Sequence, residues 1–288
     1  MPPRPLKLHV GCDIVVRAQA ECPIVAMLRP ASGLAQWLSS ETYAFDPWVP
    51  TTEYVDSFGN LCQRLVVPRG DMRLFVEATV ETESELAVAP AAPFTLVQEL
   101  PDFALTYLLP SRYCPSDALE ARAREIVGGA SPGYGQVDAT RAWITEHIEY
   151  RYGSSDASTD AVATLAKGAG VCRDFAHVGI ALTRALRVPA RMVVGYLHRL
   201  DPMDLHAWFE AYVGGRWYTF DATQREPRGG RVVLAYGRDA ADVAFITNYG
   251  ALQTVAMKVW ADEALPPAAL PPAPVPFAAA PADGNAPS

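Results

Sequence analysis

The sequence predicts an α+β fold: an N-terminal antiparallel β-sandwich with its linker over residues 1–94, then a unit of helices plus antiparallel β-sheet over residues 95–264. Three observations carry that expectation. From Leu6 to about Glu85 apolar residues alternate in short runs between turn signals, with no helical spacing in competition. Over the middle of the chain the apolar spacing changes to three and four, the mark of helices that bury one face. Beyond residue 190 alternation returns, centred on Gly214-Gly215, a pair that signals a tight β-hairpin. With 50% hydrophobic residues in 288, the chain can bury a sizeable core.

In the first unit, strands are expected at 8–16, 24–29, 53–55, 61–68 and 72–80, separated by turns such as Asp56-Ser-Phe-Gly-Asn60. Trp37 and Trp48 read as packing or loop anchors. Residues 86–94 are apolar and punctuated by proline, as a linker would be. In the second unit Ser116 is the expected N-cap of a helix reaching Val127, closed by Gly128-Gly129. A second helix is expected over 136–148 and a third over 160–167, the latter capped by Ser158 or Thr159. Strands at 192–197, 231–236 and 252–260 are expected to join the hairpin in one sheet, packed against the helix that begins near Cys172. The last 24 residues, from Leu265, are dominated by Pro and Ala and are expected to be disordered.

A net charge of −8 without a basic run excludes nucleic acid as the expected partner, because phosphate binding needs clustered Lys and Arg. The N-terminus lacks the apolar segment of a secretory signal, and no apolar run of 18 residues occurs, so the expected compartment is the cytoplasm with no membrane attachment. Five widely spaced cysteines, odd in number and without a C-x-x-C pair, point to a reducing compartment and away from disulfides or zinc. No His and carboxylate spacing matches a metal motif, so neither metal nor other cofactor is expected.

One stretch stands apart. In Gly170-Val-Cys-Arg-Asp-Phe-Ala-His177 a glycine-bearing loop leads into a helical pattern, which sets Cys172 at or near a helix N-terminus. Unpaired N–H groups and the helix dipole stabilise negative charge there, which suits a thiolate nucleophile. Such a nucleophile needs a base that later acts as acid, and imidazole is the usual one. Of the five histidines, His177 lies five residues along the same helix and so points about 140° away from Cys172. His9 and His147 have no acid at a suggestive spacing, and His198 is a genuine competitor. His206 opens the hairpin. If the two glycines form its loop, Val213 pairs with Arg216 and Trp208 with Asp221, making His206 a diagonal neighbour of Asp221 on one face. That face, with Trp208, Glu210, Tyr212, Trp217 and Thr219, reads as a site wall, whereas the Phe209 and Phe220 face reads as core. An aspartate accepting from one ring nitrogen would fix the tautomer and stabilise the imidazolium. Arg173 and Asp174, next to the cysteine, are expected to pair structurally.

The stretches GVCRDFAHVGIALTRALRVPARMVVGY and HAWFEAYVGGRWYTFDAT closely resemble the transglutaminase-like superfamily, the papain-related cysteine acyl transferases and peptidases, in its bacterial branch. The likeness spans about residues 140 to 250, and YLLPSRYC and GRDAADVA are also similar to that branch, which carries an N-terminal β domain. The resemblance implies a papain-like, transglutaminase-like core and a catalytic triad of Cys172, His206 and Asp221, all intact here. The chain has no room for the further β domains of the large calcium-dependent crosslinking enzymes, so their calcium control is not expected.

The expected reaction is cysteine-dependent acyl transfer on a protein or peptide amide through a thioester. Opened by water, the thioester makes a peptidase or amidase; opened by a primary amine, a transglutaminase. Hydrolysis is preferred, since a short chain without evident accessory domains offers less to shield the thioester. The Cys172 N–H is the first expected oxyanion donor, with Tyr152 and Ser155 as weak candidates for the second. The competing reading is a non-catalytic binding or scaffold module that keeps the fold, and thiol reactivity separates the two: iodoacetamide should label a catalytic Cys172 fastest.

Overall fold

The structure is a computed structural model that describes residues 5–33 and 36–264; the expectation for residues 265–288 lies outside them. The N-terminal part builds β1 (Leu6–Ala18), β2 (Cys22–Ala26), β3 (Gln36–Asp46), β4 (Thr52–Val55), β5 (Leu61–Val67) and β6 (Gly70–Thr82). The helices are α1 (Asp102–Leu105), α2 (Glu120–Val127), α3 (Tyr134–His147), α4 (Ala161–Lys167) and α5 (Cys172–Ala185). Two short strands, β7 (Glu149–Tyr150) and β8 (Ala169–Gly170), flank α4. After α5 come β9 (Ala190–Leu197), β10 (His206–Val213), β11 (Arg216–Phe220), β12 (Arg231–Gly237), β13 (Ile246–Asn248) and β14 (Leu252–Glu263). The architecture is α+β, as the patterning predicts.

Two antiparallel sheets make the sandwich, ordered β14-β1-β6-β3 and β13-β2-β5-β4. Strict alternation drives them together. Leu8, Val10, Cys12, Ile14 and Val16 of β1 face inward, as do Met72, Leu74, Val76, Ala78 and Val80 of β6. Each large aliphatic side chain buried in this way contributes on the order of 1.5–3 kcal/mol. β3 has no counterpart among the expected strands. It is an edge strand with most side chains in solvent, so its composition, QWLSSETYAFD, carries too few inward apolar residues to announce it.

The third sheet runs β11-β10-β9-β12, all antiparallel, with α5 across it. Contact is close because Gly179 of α5 presents no side chain where the Phe209 ring of β10 lies; a Cβ there would collide with it. The helix expected over 160–167 starts at Ala161 and is capped by Asp160, whose carboxylate accepts the Ala163 N–H at 2.8 Å, not by Ser158 or Thr159. Ser116 does not cap α2 either, because the chain first makes a separate turn over Ser116–Ala118.

The strand expected at 252–260 forms, but not where adjacency in sequence suggests. β14 leaves the third sheet and pairs along β1, from Leu8 opposite Glu263 to Ala18 opposite Leu252. Gly11 explains the match: it sits opposite Trp260, whose ring covers the space a Cβ at residue 11 would need. β13 likewise pairs with β2 of the sandwich.

The outer edge of β12 has no strand beside it, yet its backbone is not left open. Three sandwich side chains meet it in turn. The Thr82 hydroxyl donates to Arg231 O at 2.7 Å. Gln36 accepts the Val233 N–H at 2.7 Å and donates to its carbonyl at 2.9 Å. Asn60 accepts the Tyr236 N–H at 2.8 Å and donates to its carbonyl at 2.7 Å. Both amides thus imitate the exchange of bonds between antiparallel strands.

Candidate active site

Cys172 is placed by a short run of local decisions. Gly168 closes α4 in the left-handed region, at φ 65, and turns the chain back so that Ala169 and Gly170 pair in parallel with Glu149 and Tyr150. Val171 is extended, and Cys172 is the first residue of α5. Its N–H is one of the four at a helix start with no acceptor inside the helix. Asp174 is fully buried and holds this entry: its carboxylate accepts the Val171 N–H at 2.9 Å and Arg173 at 3.0 Å. Arg173 also donates to Asp156 O at 2.8 Å. These two charges are structural, as their adjacency suggests.

The hairpin forms in the expected register, Val213 opposite Arg216 and Phe209 opposite Phe220. Continuing that count, His206 and Asp221 share a face at its open end, where His206 Nε2 lies 2.8 Å from Asp221 Oδ2. The ring's other neighbour is the Cys172 thiol, whose proximity acts to raise the ring's pKa. With Nε2 facing the carboxylate, Nδ1 is the nitrogen left for sulfur. Sulfur, imidazole and carboxylate are therefore in series, and His206 and Asp221 are both buried. On β9, Gly195 stands opposite His206; a Cβ there would strike Val232 O and press on Trp208.

Asp221 has every lone pair occupied. Besides His206 it accepts Arg231 Nη2 at 2.8 Å, the Thr223 N–H at 3.0 Å and the Thr223 hydroxyl at 2.7 Å. Burial pushes its carboxyl up, but the charges of His206 and Arg231 and these hydrogen bonds outweigh burial and hold it well below the usual carboxylate range. For His206, burial acts to lower the pKa; the Asp221 charge and the hydrogen bond that Asp221 accepts from the ring, with Cys172 nearby, overcome it and raise the ring to about 9. The site thus favours an imidazolium held against an ionised aspartate.

The sequence did not single out Tyr150, Thr223 or Arg231. Thr223 had a signal, since Asp-x-Thr favours a turn in which the aspartate bonds two residues on. Arg231 merely begins a strand. Tyr150 is brought to Cys172 by the pairing of β7 with β8: its hydroxyl comes near the Cys172 backbone and sulfur, and its ring packs 5.7 Å from Phe175. Burial and the neighbouring Cys172 sulfur push the Tyr150 phenol upward, so it stays a protonated donor. Tyr152 instead packs its ring edge to face on Tyr150 and is 58% exposed, while Ser155 meets Arg173 at 3.4 Å.

The remaining histidines lie elsewhere. His198 bonds Ala261 O of β14 at 2.7 Å. His177 is buried, stacks on Tyr113 and accepts the Ala240 N–H at 3.2 Å; burial pushes it down to about 3. His147 stacks on Trp143 and His9 meets Glu77. The hairpin face expected to be a site wall is mostly covered: Trp208, Glu210 and Tyr212 are buried, and Arg191 pairs with Glu210 at 2.7 Å between the rings of Trp217 and Tyr236. Only its His206 and Asp221 end reaches the site.

Two cavities flank the Cys172 and His206 pair. One, of about 770 Å³, includes Cys172 and runs between the third sheet and the sandwich. The other, of about 280 Å³, includes His206, Tyr150 and Thr223. Asp204 and Leu205 line both. All five cysteines are free thiols, and four are buried; Cys172 alone is partly accessible. Among the described residues no helix is long and apolar enough to cross a membrane.

Comparison with known proteins follows the same lines. A family model described as the transglutaminase-like superfamily matches residues 120–222, a span that includes Cys172, His206 and Asp221. A crystal structure from Cytophaga hutchinsonii, described as that of a candidate cysteine protease, is 34% identical, with a TM-score of 0.85 over 90% of this chain and 91% of that one. An uncharacterised protein of Mycobacterium leprae is 28% identical over 236 residues, 76% of this chain and 83% of its own. An uncharacterised protein of Mycobacterium tuberculosis is 37% identical over 115 residues, 35% of this chain and 37% of its own.

Proposed function

The chain belongs to the transglutaminase-like superfamily, and on that premise we propose that it performs cysteine-dependent acyl transfer on a protein or peptide amide, with hydrolysis as its reaction. The observation that carries this reading is the series of Cys172 thiol, His206 ring and Asp221 carboxylate at a helix N-terminus. With the proton already resting on His206 Nδ1, the Cys172 sulfur attacks the carbonyl carbon as the thiolate of a thiolate–imidazolium pair. Charge then develops on the carbonyl oxygen, for which the Cys172 N–H at the helix start and the Tyr150 O–H beside it are the donors at hand. The C–N bond breaks as His206 returns its proton to the leaving amine, and a thioester remains. Asp221, fixed by Arg231 and Thr223, keeps the ring oriented and stabilises its charged form throughout.

A second nucleophile surrenders its proton to His206 and opens the thioester, releasing the acyl group and restoring the thiolate–imidazolium pair. Water is favoured because Cys172 is only partly buried and Tyr150 and Tyr152 beside it are 41% and 58% exposed, so solvent reaches the acylated sulfur. The test is mass spectrometry of casein incubated with the protein and a primary amine, comparing wild type with Cys172→Ala. New chain ends or deamidated glutamines in the wild type alone support hydrolysis. Amine incorporation in their place would make the protein a transglutaminase, and no change of any kind would leave the binding module as the better reading.

A further inference from the structure

The larger cavity joins parts of the chain that the reaction itself does not need together. Its walls come from the third sheet (Met192, Val194, Ala207), from β1 (Ile14) and from β14 (Met257). Val243 and Phe245 close it from the segment between β12 and β13. Two charged residues line it, and both are already engaged: Arg173 by Asp174 and Asp156 O, Asp204 by the Leu205 N–H at 2.8 Å. At about 770 Å³ it is far larger than one side chain requires and falls in the range of ligand-binding clefts.

Its polarity relative to the reaction follows from which group each cavity reaches. The smaller cavity includes His206, the group that protonates the leaving amine, and not Cys172. The larger includes Cys172, which keeps the acyl part, and not His206. Two strands at its rim, β13 and β14, are edge strands of their sheets, each paired on one side only. Ile246, Thr247 and Asn248 of β13 and Thr254 and Met257 of β14 border the opening. An unpaired strand edge offers N–H and C=O groups to an extended peptide, while an adjoining apolar pocket selects its side chains.

We propose that this cleft is the acyl-side subsite of the enzyme, holding a peptide in extended form along the β13 and β14 edges with a bulky uncharged side chain in the apolar cavity. The inference rests on Cys172 being the nucleophile, and it gives the sandwich and the returning β14 a role as the specificity wall. Its occupant is substrate because the cleft ends on the reacting sulfur.

The test reads selectivity at Cys172 without requiring turnover. Wild-type protein is alkylated with iodoacetamide, an N-benzyl analogue and iodoacetate, each rate being divided by that of glutathione. The expected result is that the benzyl reagent labels Cys172 on the order of tenfold faster than iodoacetamide, the scale of burying a small apolar group, and that iodoacetate is slowest. In the uncharged variant Ile246→Ser/Met257→Ser the ratio of the benzyl to the iodoacetamide rate is expected to fall to about one, while the urea-unfolding transition remains cooperative, which shows that the protein is still folded. A leucine-rich tetrapeptide is expected to protect Cys172, and its backbone N-methylated form is not. Rapid labelling that ignores the reagent's tail, a preference that survives the double substitution, or equal protection by both peptides would overturn the proposal and leave the nucleophile intact. Labelling of Cys172 no faster than of the four buried cysteines would instead sink the catalytic reading, and this inference with it.

Discussion

Asp221 shows how much of the site depends on one side chain. A carboxylate with four donors orients His206 and keeps it charged, so Asp221→Asn is expected to lower kcat by about a hundredfold or more, with KM little changed. Arg231→Met leaves Asp221 buried with one donor fewer and is expected to cost both stability and rate. Tyr150→Phe removes only the hydroxyl; if that group receives the oxyanion, kcat should fall about ten- to a hundredfold while iodoacetamide still labels Cys172. His206→Ala is expected to abolish turnover and His198→Ala to spare it, and the opposite result would move the base to residue 198. The pH dependence has a worked sign. The folded pKa of His206 is raised from 6.5 to about 9, so its contribution to stability is complete below 6.5 and is lost as pH rises through about 9. Asp221 is lowered from 3.8, so its contribution is present above that value and is lost on acidification below it. Urea unfolding at pH 6.5 and pH 9 should therefore show a loss of stability in wild type that is reduced in His206→Gln.

At the scale of elements, the hairpin was legible because its arithmetic is rigid. A Gly-Gly loop fixes the pairing, pairing fixes parity, and parity puts His206 and Asp221 on one face whatever the rest of the chain does. The helix start at Cys172 was legible for a similar reason, being a switch of period beside a glycine. Tyr150 and Arg231 were not, because a two-residue parallel bridge and the first position of a strand leave no periodic trace. The same limit hid the partner of β14: alternation identifies a strand but not its neighbour, and the neighbour here lies at the other end of the chain. Only Gly11, opposite Trp260, hinted at it. The glycines under the site make a direct test of packing. Gly195→Ala places a methyl against Val232 O and Trp208, next to His206, and is expected to lower stability by about 1–3 kcal/mol in urea unfolding and to reduce activity through the displaced ring.

Across the whole molecule, the sandwich and the site-bearing sheet share one continuous core. Tyr196 of β9 meets the Cys12 thiol of β1, and burial raises that thiol to about 11. Labelling at neutral pH should accordingly leave Cys12 untouched. Asn60→Ala strips a donor and an acceptor from Tyr236 and is expected to cost about 2 kcal/mol or more, whereas Asn60→Asp sets a buried carboxylate against the Tyr236 carbonyl and the Asp56 carboxylate and should cost more still.

The amides along β12 have a consequence for how this protein can be dissected. Gln36 and Asn60 stand in for the rungs of a missing neighbour, shielding a ribbon that would otherwise invite any passing chain to dock. A fragment from residue 95 onward would carry that ribbon naked and would also hold β14 with its companion strand gone. Such a piece should clump in the tube even though Cys172, His206 and Asp221 all remain on it, so severing the molecule between its two parts would unmake the site it was meant to isolate.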